Sequence, residues 1–287
     1  MTKTSAETIH GIALGGGRAG GRRIFSFSSS FPGKISVKYT LMRQLREGEA
    51  SMEAKYHRVL IKMSGEALAG PLNKGIDFGF VEKLCKAVKR CLDLGVQVAI
   101  VCGGGNYWRG AQDGGDRMVR TRADYMGMLA ITMNCLALLD GLEKQGVEAR
   151  IQSALGTDKL AEPINRDRAV RHLEKGRVVL FAGGTGEPYF TTDTGAVLRA
   201  LEVDADVLLL GKNVDAIYSA DPKKDPNAKR FSAITYREIL EKDLKAMDAA
   251  ATQLAMDNKL KLHVFGLKDP ENILRAVSGE PIGTVVR

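Results

Sequence analysis

From Tyr56 onward the chain alternates short, unbroken apolar runs with stretches of helical periodicity, and this alternation constrains the fold more than any other feature. Runs at 59–63, 96–102, 147–152, 178–181 and 207–210 read as strands. They are apolar throughout rather than at every second residue, the pattern of strands covered on both faces of a parallel sheet. Between the first two, Val81, Leu84, Cys85, Val88 and Leu92 follow helical spacing, with Asp77 as cap, Ile76 as staple to Val81 and Gly95 as terminator. Further helices are expected at 122–144, 193–203, 248–258 and 270–277, and further strands at 262–265 and 282–286. Strands alternating with helices imply an α/β fold with a mostly parallel sheet. The longest mostly apolar stretch, 126–139, is broken by Thr132 and Asn134 and falls short of the roughly 20 residues of a membrane span. No span is expected; the stretch reads as an intersubunit helix or a core helix.

The first 51 residues differ. They are rich in Ser, Gly and Arg and keep no periodicity. Residues 1–46 carry eight bases and one acid, so nearly all of the formal net charge of +8 sits there and the remainder is close to neutral. Three readings stay open for this segment: a disordered extension or upstream stretch before a true start at Met52, an organellar transit peptide, or a basic arm for nucleic acid. The division expected is a basic extension over 1–51 and a single domain over 52–287. A near-neutral folded part makes nucleic acid an unlikely partner for it.

Cys85, Cys91, Cys102 and Cys135 form no C-x-x-C pair, so a zinc site is not expected and buried free thiols are. Ligands of open α/β sheets bind beyond the carboxyl ends of the strands. Here four such ends run into small or glycine-rich turns: Ser64-Gly65, Gly103-Gly104-Gly105-Asn106, Gly183-Gly184-Thr185-Gly186 and Gly211. Such turns let backbone N–H groups converge on an anion. Several on one rim point to a ligand with several phosphates. The P-loop and dinucleotide fingerprints are absent, since Trp108 stands where the last glycine of G-x-G-x-x-G belongs. Three charges stand out beside these turns. Lys62 interrupts an apolar strand and reads either as facing a ligand or as a snorkelling edge lysine. Arg109 folds back onto a phosphate or stays a loop arginine. Asp193 is an N-cap, a role that can coexist with a catalytic one.

These residues carry a resemblance. Lys62-Met63-Ser64-Gly65-Glu66-Ala67-Leu68, Gly103-Gly104-Gly105-Asn106 with Arg109-Gly110, and Ala123-Asp124-Tyr125-Met126-Gly127-Met128-Leu129-Ala130 are similar to motifs of the bacterial uridylate kinases within the amino acid kinase family. So are Gly184-Thr185-Gly186, Pro188-Tyr189-Phe190-Thr191-Thr192-Asp193 and Val214-Asp215 through Tyr218-Ser219-Ala220-Asp221-Pro222. The resemblance spans about 56–286, with the motifs in order. It implies a three-layer α/β/α sandwich and transfer of the γ-phosphoryl of MgATP to UMP. It also implies a cytoplasmic homohexamer in pyrimidine nucleotide biosynthesis, with GTP and UTP as effectors.

Carried onto this chain, the resemblance gives Lys62, Met63, Ser64, Gly65, Gly105 and Arg109 to the ATP phosphates. Lys212, Asn213, Tyr218 and Asp221 go to the rest of ATP. Gly104, Asp124 and the loop Thr185, Gly186, Glu187, Pro188, Tyr189, Phe190, Thr191 and Thr192 go to UMP. Lys62, Asp193 and Asp248 form the catalytic set, with Mg²⁺ arriving on ATP and no dedicated protein metal site. Two positions depart from the pattern: Glu187 where Asn is usual, and Lys212 where Thr or Asn is usual. The first bears on the choice of base, the second on the adenine contacts. Two other readings remain, a different amino acid kinase and a non-catalytic nucleotide sensor of the same fold.

Overall fold

The structure, a computed structural model, describes residues 53–287; the N-terminal extension lies outside the described residues. The elements in order are β1 (Arg58–Met63), α1 (Gly65–Ala69), α2 (Phe78–Asp93), β2 (Gln97–Cys102), α3 (Arg120–Lys144), β3 (Ala149–Ser153), β4 (Glu162–Pro163), α4 (Arg166–Glu174), β5 (Val178–Ala182), α5 (Thr192–Glu202) and β6 (Val207–Lys212). There follow β7 (Ile217–Tyr218), β8 (Arg230–Phe231), β9 (Ala233–Ile234), α6 (Tyr236–Glu241), α7 (Ala249–Asp257), β10 (Leu262–Gly266), α8 (Asn272–Val277) and β11 (Thr284–Val286).

Nine strands form one sheet in the order β4-β3-β5-β2-β1-β6-β10-β11-β9. Its pairs are parallel except for antiparallel β10–β11. β7 and β8 form a separate hairpin. Because successive side chains of a strand point to opposite faces, β1 feeds two cores. Val59, Ile61 and Met63 pack with α2, α3 and α8, while Leu60 packs with α4, α5, α6 and α7. The result is the expected three-layer α/β/α sandwich. Lys62 shares the parity of Leu60, so its side chain emerges on the α5 side.

The strands and helices lie close to where periodicity put them. Asp77 caps α2, accepting from Gly79 N at 2.9 Å and Phe80 N at 3.2 Å. α3 is longer than the apolar stretch within it. At 25 residues it is long and apolar enough to cross a membrane by length and composition alone. Its inner side packs on the sheet through Ile131, Cys135, Leu138 and Leu142, while Tyr125, Met126, Leu129 and Met133 are exposed. The core reading holds for one face of the stretch, and the other face is open. α4 was not anticipated, because Ala169 and Leu173 are its only fully buried residues. All four cysteines are free and buried.

Candidate phosphoryl-transfer site

The carboxyl ends of β1, β2, β5 and β6 share one rim. The chain order reverses at β1, which lies between β2 and β6, so this rim is the crevice in which open α/β sheets bind ligands. Lys62, the penultimate residue of β1, is 7% exposed. Its Nζ lies 2.5 Å from Asp193 Oδ1 in the first turn of α5. On the other side Lys212 Nζ, at the end of the neighbouring β6, lies 3.8 Å from Asp193 Oδ2. One carboxylate thus sits between two ammonium groups. Burial pushes the Asp193 carboxyl up, but Lys62, Lys212 and a hydrogen bond from the Asp248 backbone outweigh it and hold it below the ordinary carboxylate value. Burial pushes the Lys212 ammonium below its ordinary value, helped by the charge of Lys62 and opposed by Asp193 and Asp248. Asp193 Oδ1 has no hydrogen-bond partner of good angle among the described residues, although Lys62 is in ionic contact with it.

Asp248 forms no ion pair with either lysine, although its charge is felt at Lys212. It caps α7, accepting from Ala251 N at 2.9 Å, and also accepts from the hydroxyls of Thr191 and Thr194. It therefore ties the amino end of α7 to that of α5. Thr191 in turn caps α5, accepting from Asp193 N at 3.0 Å.

The β2 turn is locked beneath the β1 turn. Gly103 N donates to Met63 O at 2.9 Å. A Cβ on Gly65 would come within 2.6 Å of Gly103 O and 2.8 Å of Gly105 N, so no other residue fits at 65 without displacement. Met63 has its side chain in the core and its carbonyl engaged by Gly103, which leaves it a part in joining the two turns. Under the turn lies a buried amide pair that sequence reasoning missed. Asn134 Nδ2, on α3, donates to Gly103 O and to Asn106 Oδ1, each at 2.7 Å. Asn106 Nδ2 donates to Asn134 Oδ1 at 2.9 Å and to Gly75 O at 2.7 Å. Its signal was present as the polar break in the apolar stretch. Arg109 does stand over Gly105, but it is ion-paired with Glu66 of α1.

A cleft of about 380 Å³ opens between these turns and α3. It is lined by Lys62, Ser64, Gly65, Gly104, Gly105 and Arg109 from the β1 and β2 turns, by Asp124 from α3, and by Thr185, Phe190, Thr191, Thr192 and Asp193 from the segment between β5 and α5 and the first turn of α5. Asp124 Oδ2 accepts from Tyr189 N at 2.9 Å, and Arg120 Nε donates to both Asp124 oxygens at 2.9 Å. Gly186, Glu187, Pro188 and Tyr189 stand back from the cleft lining. Glu187 is exposed, its N–H held by Thr185 Oγ1 at 3.1 Å.

A second cleft, of about 550 Å³, begins at Lys212 and is lined by Tyr218, Asp221, Lys223 and Lys245. Tyr218 OH donates to Asp215 Oδ1 at 2.9 Å. Asn213 is not part of it; it borders a separate groove beside Glu66 and Lys268. Lys212 and Asp193 therefore stand where the two clefts approach each other. Both volumes fall in the usual range for small-molecule sites. Among the described residues no cluster of three His, Cys, Asp or Glu could hold a metal ion by itself.

The sequence model of the amino acid kinase family matches residues 57–266. A UMP kinase from Bacillus anthracis superposes with a TM-score of 0.78 at 37% identity, covering 81% of this chain and 96% of that one. A UMP kinase from Ureaplasma parvum does so with a TM-score of 0.76 at 37% identity, covering 81% and 99%. A uridylate kinase from Archaeoglobus fulgidus gives a TM-score of 0.64 at 28% identity over 80% and 99%.

Proposed function

The chain belongs to the amino acid kinase family, and from that premise we propose that it is a UMP kinase, transferring the γ-phosphoryl of ATP to UMP to give UDP and ADP. The observation that carries the reading is the Lys62–Asp193–Lys212 cluster between two clefts of nucleotide size. UMP occupies the cleft beside Asp124 and the 183–192 loop, with the ribose hydroxyls at Asp124. ATP lies toward Tyr218 and Asp221. Their phosphates meet at Lys62. The kinase domain spans 52–287, and 1–51 is an extension not needed for transfer.

The chemistry suits these parts. The second pKa of a phosphate monoester is about 6, so the attacking oxygen of UMP is already deprotonated at neutral pH and no general base is required. Catalysis reduces to aligning donor and acceptor and stabilising charge spread over the transferring group. Asp193 fixes Lys62 so that its remaining N–H groups face that charge. Backbone N–H groups of Gly104 and Gly105 add fixed dipoles, and burial strengthens each interaction. Lys212 supplies the second cation, at the donor side. Arg109 takes a phosphate once it leaves Glu66. Met63 and Asp248 act by holding the turns and α5 in place.

Mg²⁺ would arrive on the phosphates of ATP, and Asp193, whose two oxygens face Lys62 and Lys212, would serve it through the lysines it holds rather than as a direct ligand. Such an ion supplies charge neutralisation to the phosphoryl oxygens. The reading extends to a cytoplasmic homohexamer in pyrimidine nucleotide supply, with GTP and UTP as effectors. The open apolar stripe of α3 supports assembly of copies.

The test is ADP release with each of the four nucleoside monophosphates, using the full chain and a form lacking 1–51. UMP is expected to be the acceptor for both forms. Absence of ADP with UMP would refute the activity, and dependence on 1–51 would refute the domain assignment.

A further inference from the structure

The amino-terminal turn of α3 breaks a local rule. It holds Arg120 and no acidic residue, although the positive end of a helix disfavours cations. A local rule broken beside a cleft points to a function the local cost serves. Arg120 Nε donates to both oxygens of Asp124, one helical turn on, at 2.9 Å. Its guanidinium also lies 5.3 Å from the centre of the Tyr189 ring. Tyr189 is itself strained, with φ of 71°, where a bulky side chain is rarely found. Strain of this kind persists only where surroundings over-determine it. Two contacts do so: the Tyr189 N–H on Asp124 Oδ2 at 2.9 Å, and the Arg120 guanidinium over the ring.

We propose that Arg120 is a positioning residue for the acceptor nucleotide, clamping Asp124 and the Tyr189 turn into one preformed wall before UMP arrives. The proposal rests on the UMP reading of this cleft. Arg120 acts through Asp124 and Tyr189 and takes no part in phosphoryl transfer. An arginine suits the place because its broad, delocalised guanidinium can hold Asp124 and lie over the ring at once, whereas a lysine ammonium is a compact point charge.

The experiment uses the full-length chain with Arg120→Ala, Arg120→Lys and each of these combined with Tyr189→Gly. Hydrogen exchange at the Tyr189 amide is measured without nucleotide, and KM is measured for UMP and for ATP. Both single variants are expected to speed exchange at Tyr189 about tenfold, equivalent to about 1.4 kcal/mol. They are expected to raise KM for UMP by about tenfold while KM for ATP changes less than about twofold. Adding Tyr189→Gly, which relieves the strain and removes the ring, should shrink the Arg120 effect to below about twofold. Equal changes in both KM values mean general loosening of α3 and overturn the proposal. So does full rescue by Arg120→Lys, or unchanged exchange at Tyr189. Faster exchange in a chain that never phosphorylates UMP overturns the kinase reading and with it the acceptor role, leaving the clamp as a structural fact.

Discussion

Replacing Asn134 by Leu keeps the branched shape and the number of side-chain heavy atoms, with bulkier methyl ends, and removes three hydrogen bonds at once. Two acceptors are then stranded in the interior, Gly103 O and Asn106 Oδ1, while Asn106 Nδ2 keeps Gly75 O. Each buried acceptor left unpaired costs about 1–3 kcal/mol, so the change should destabilise the protein by about 2–6 kcal/mol. That is a large part of the roughly 5–15 kcal/mol that holds a typical protein folded. With a urea m-value of about 3 kcal/mol/M, the midpoint should fall by about 0.7–2 M at constant m. Thr132→Val on the same helix is the control. Its hydroxyl is also buried but bonds locally to Met128 O at 3.3 Å, so it should shift the midpoint far less. Urea unfolding followed by circular dichroism measures both. If Asn134→Leu and Thr132→Val shift the midpoint equally, the amide pair does not hold the glycine turn and the reasoning fails.

Lys62→Ala should fold but lose turnover by about 10²–10³-fold, read from single-turnover ADP formation; wild-type rates in that variant would remove the lysine from the mechanism. The rate should also fall at high pH. Burial lowers the Lys212 pKa, so its charge is lost as pH rises through a value below that of free lysine. Lys212→Arg should move this alkaline limb upward, and an unmoved limb would assign it to another group. Asp193 has the opposite sign: its lowered pKa contributes stability above the unfolded value that is lost as pH falls through the folded one. Asp193→Asn should therefore flatten the acid limb of a thermal-unfolding series, and an unchanged limb would contradict the pairing with the lysines. Cys85 and Cys91 are buried and their thiols are pushed up to about 12. An aromatic disulfide reagent at pH 8 should label neither until the protein is unfolded, whereas rapid labelling of the native protein would show that α2 opens.

How much of this could be read from residues alone follows from where each signal lives. β1, β2, β5 and β6 announce themselves because both faces are covered, which makes their sequences uniformly apolar. Lys62 was conspicuous for the same reason: a charge inside such a run has few satisfactory surroundings. α4 was invisible because so little of it is buried. The Lys212–Asp193 pair depends on β6 lying beside β1, a neighbourhood created by strand order and absent from linear spacing. Asn106 and Asn134 are 28 residues apart and meet only when α3 lies under the glycine turn. Glu66 on Arg109 and Arg120 on Tyr189 are likewise tertiary contacts, although the spacing of Arg120 and Asp124 on a helix could have suggested their pairing. The turns after β1, β2 and β5 were legible as a set because they end strands that must share one rim, whereas Gly211, expected as a fourth, lies inside β6, which runs on to Lys212.

At 1.5 Å per residue, the 25 residues of α3 make a rod about 37 Å long. Asp124 rides near one end, Asn134 grips the glycine turn near the middle, and the exposed Tyr125, Met126, Leu129 and Met133 run along the outer side. A stiff beam cannot yield at one point alone. Any body that leans on its outer surface must shift Asp124 and the cleft it lines or be resisted by them, so a push arriving from outside has a mechanical route to that cleft with no hinge in between.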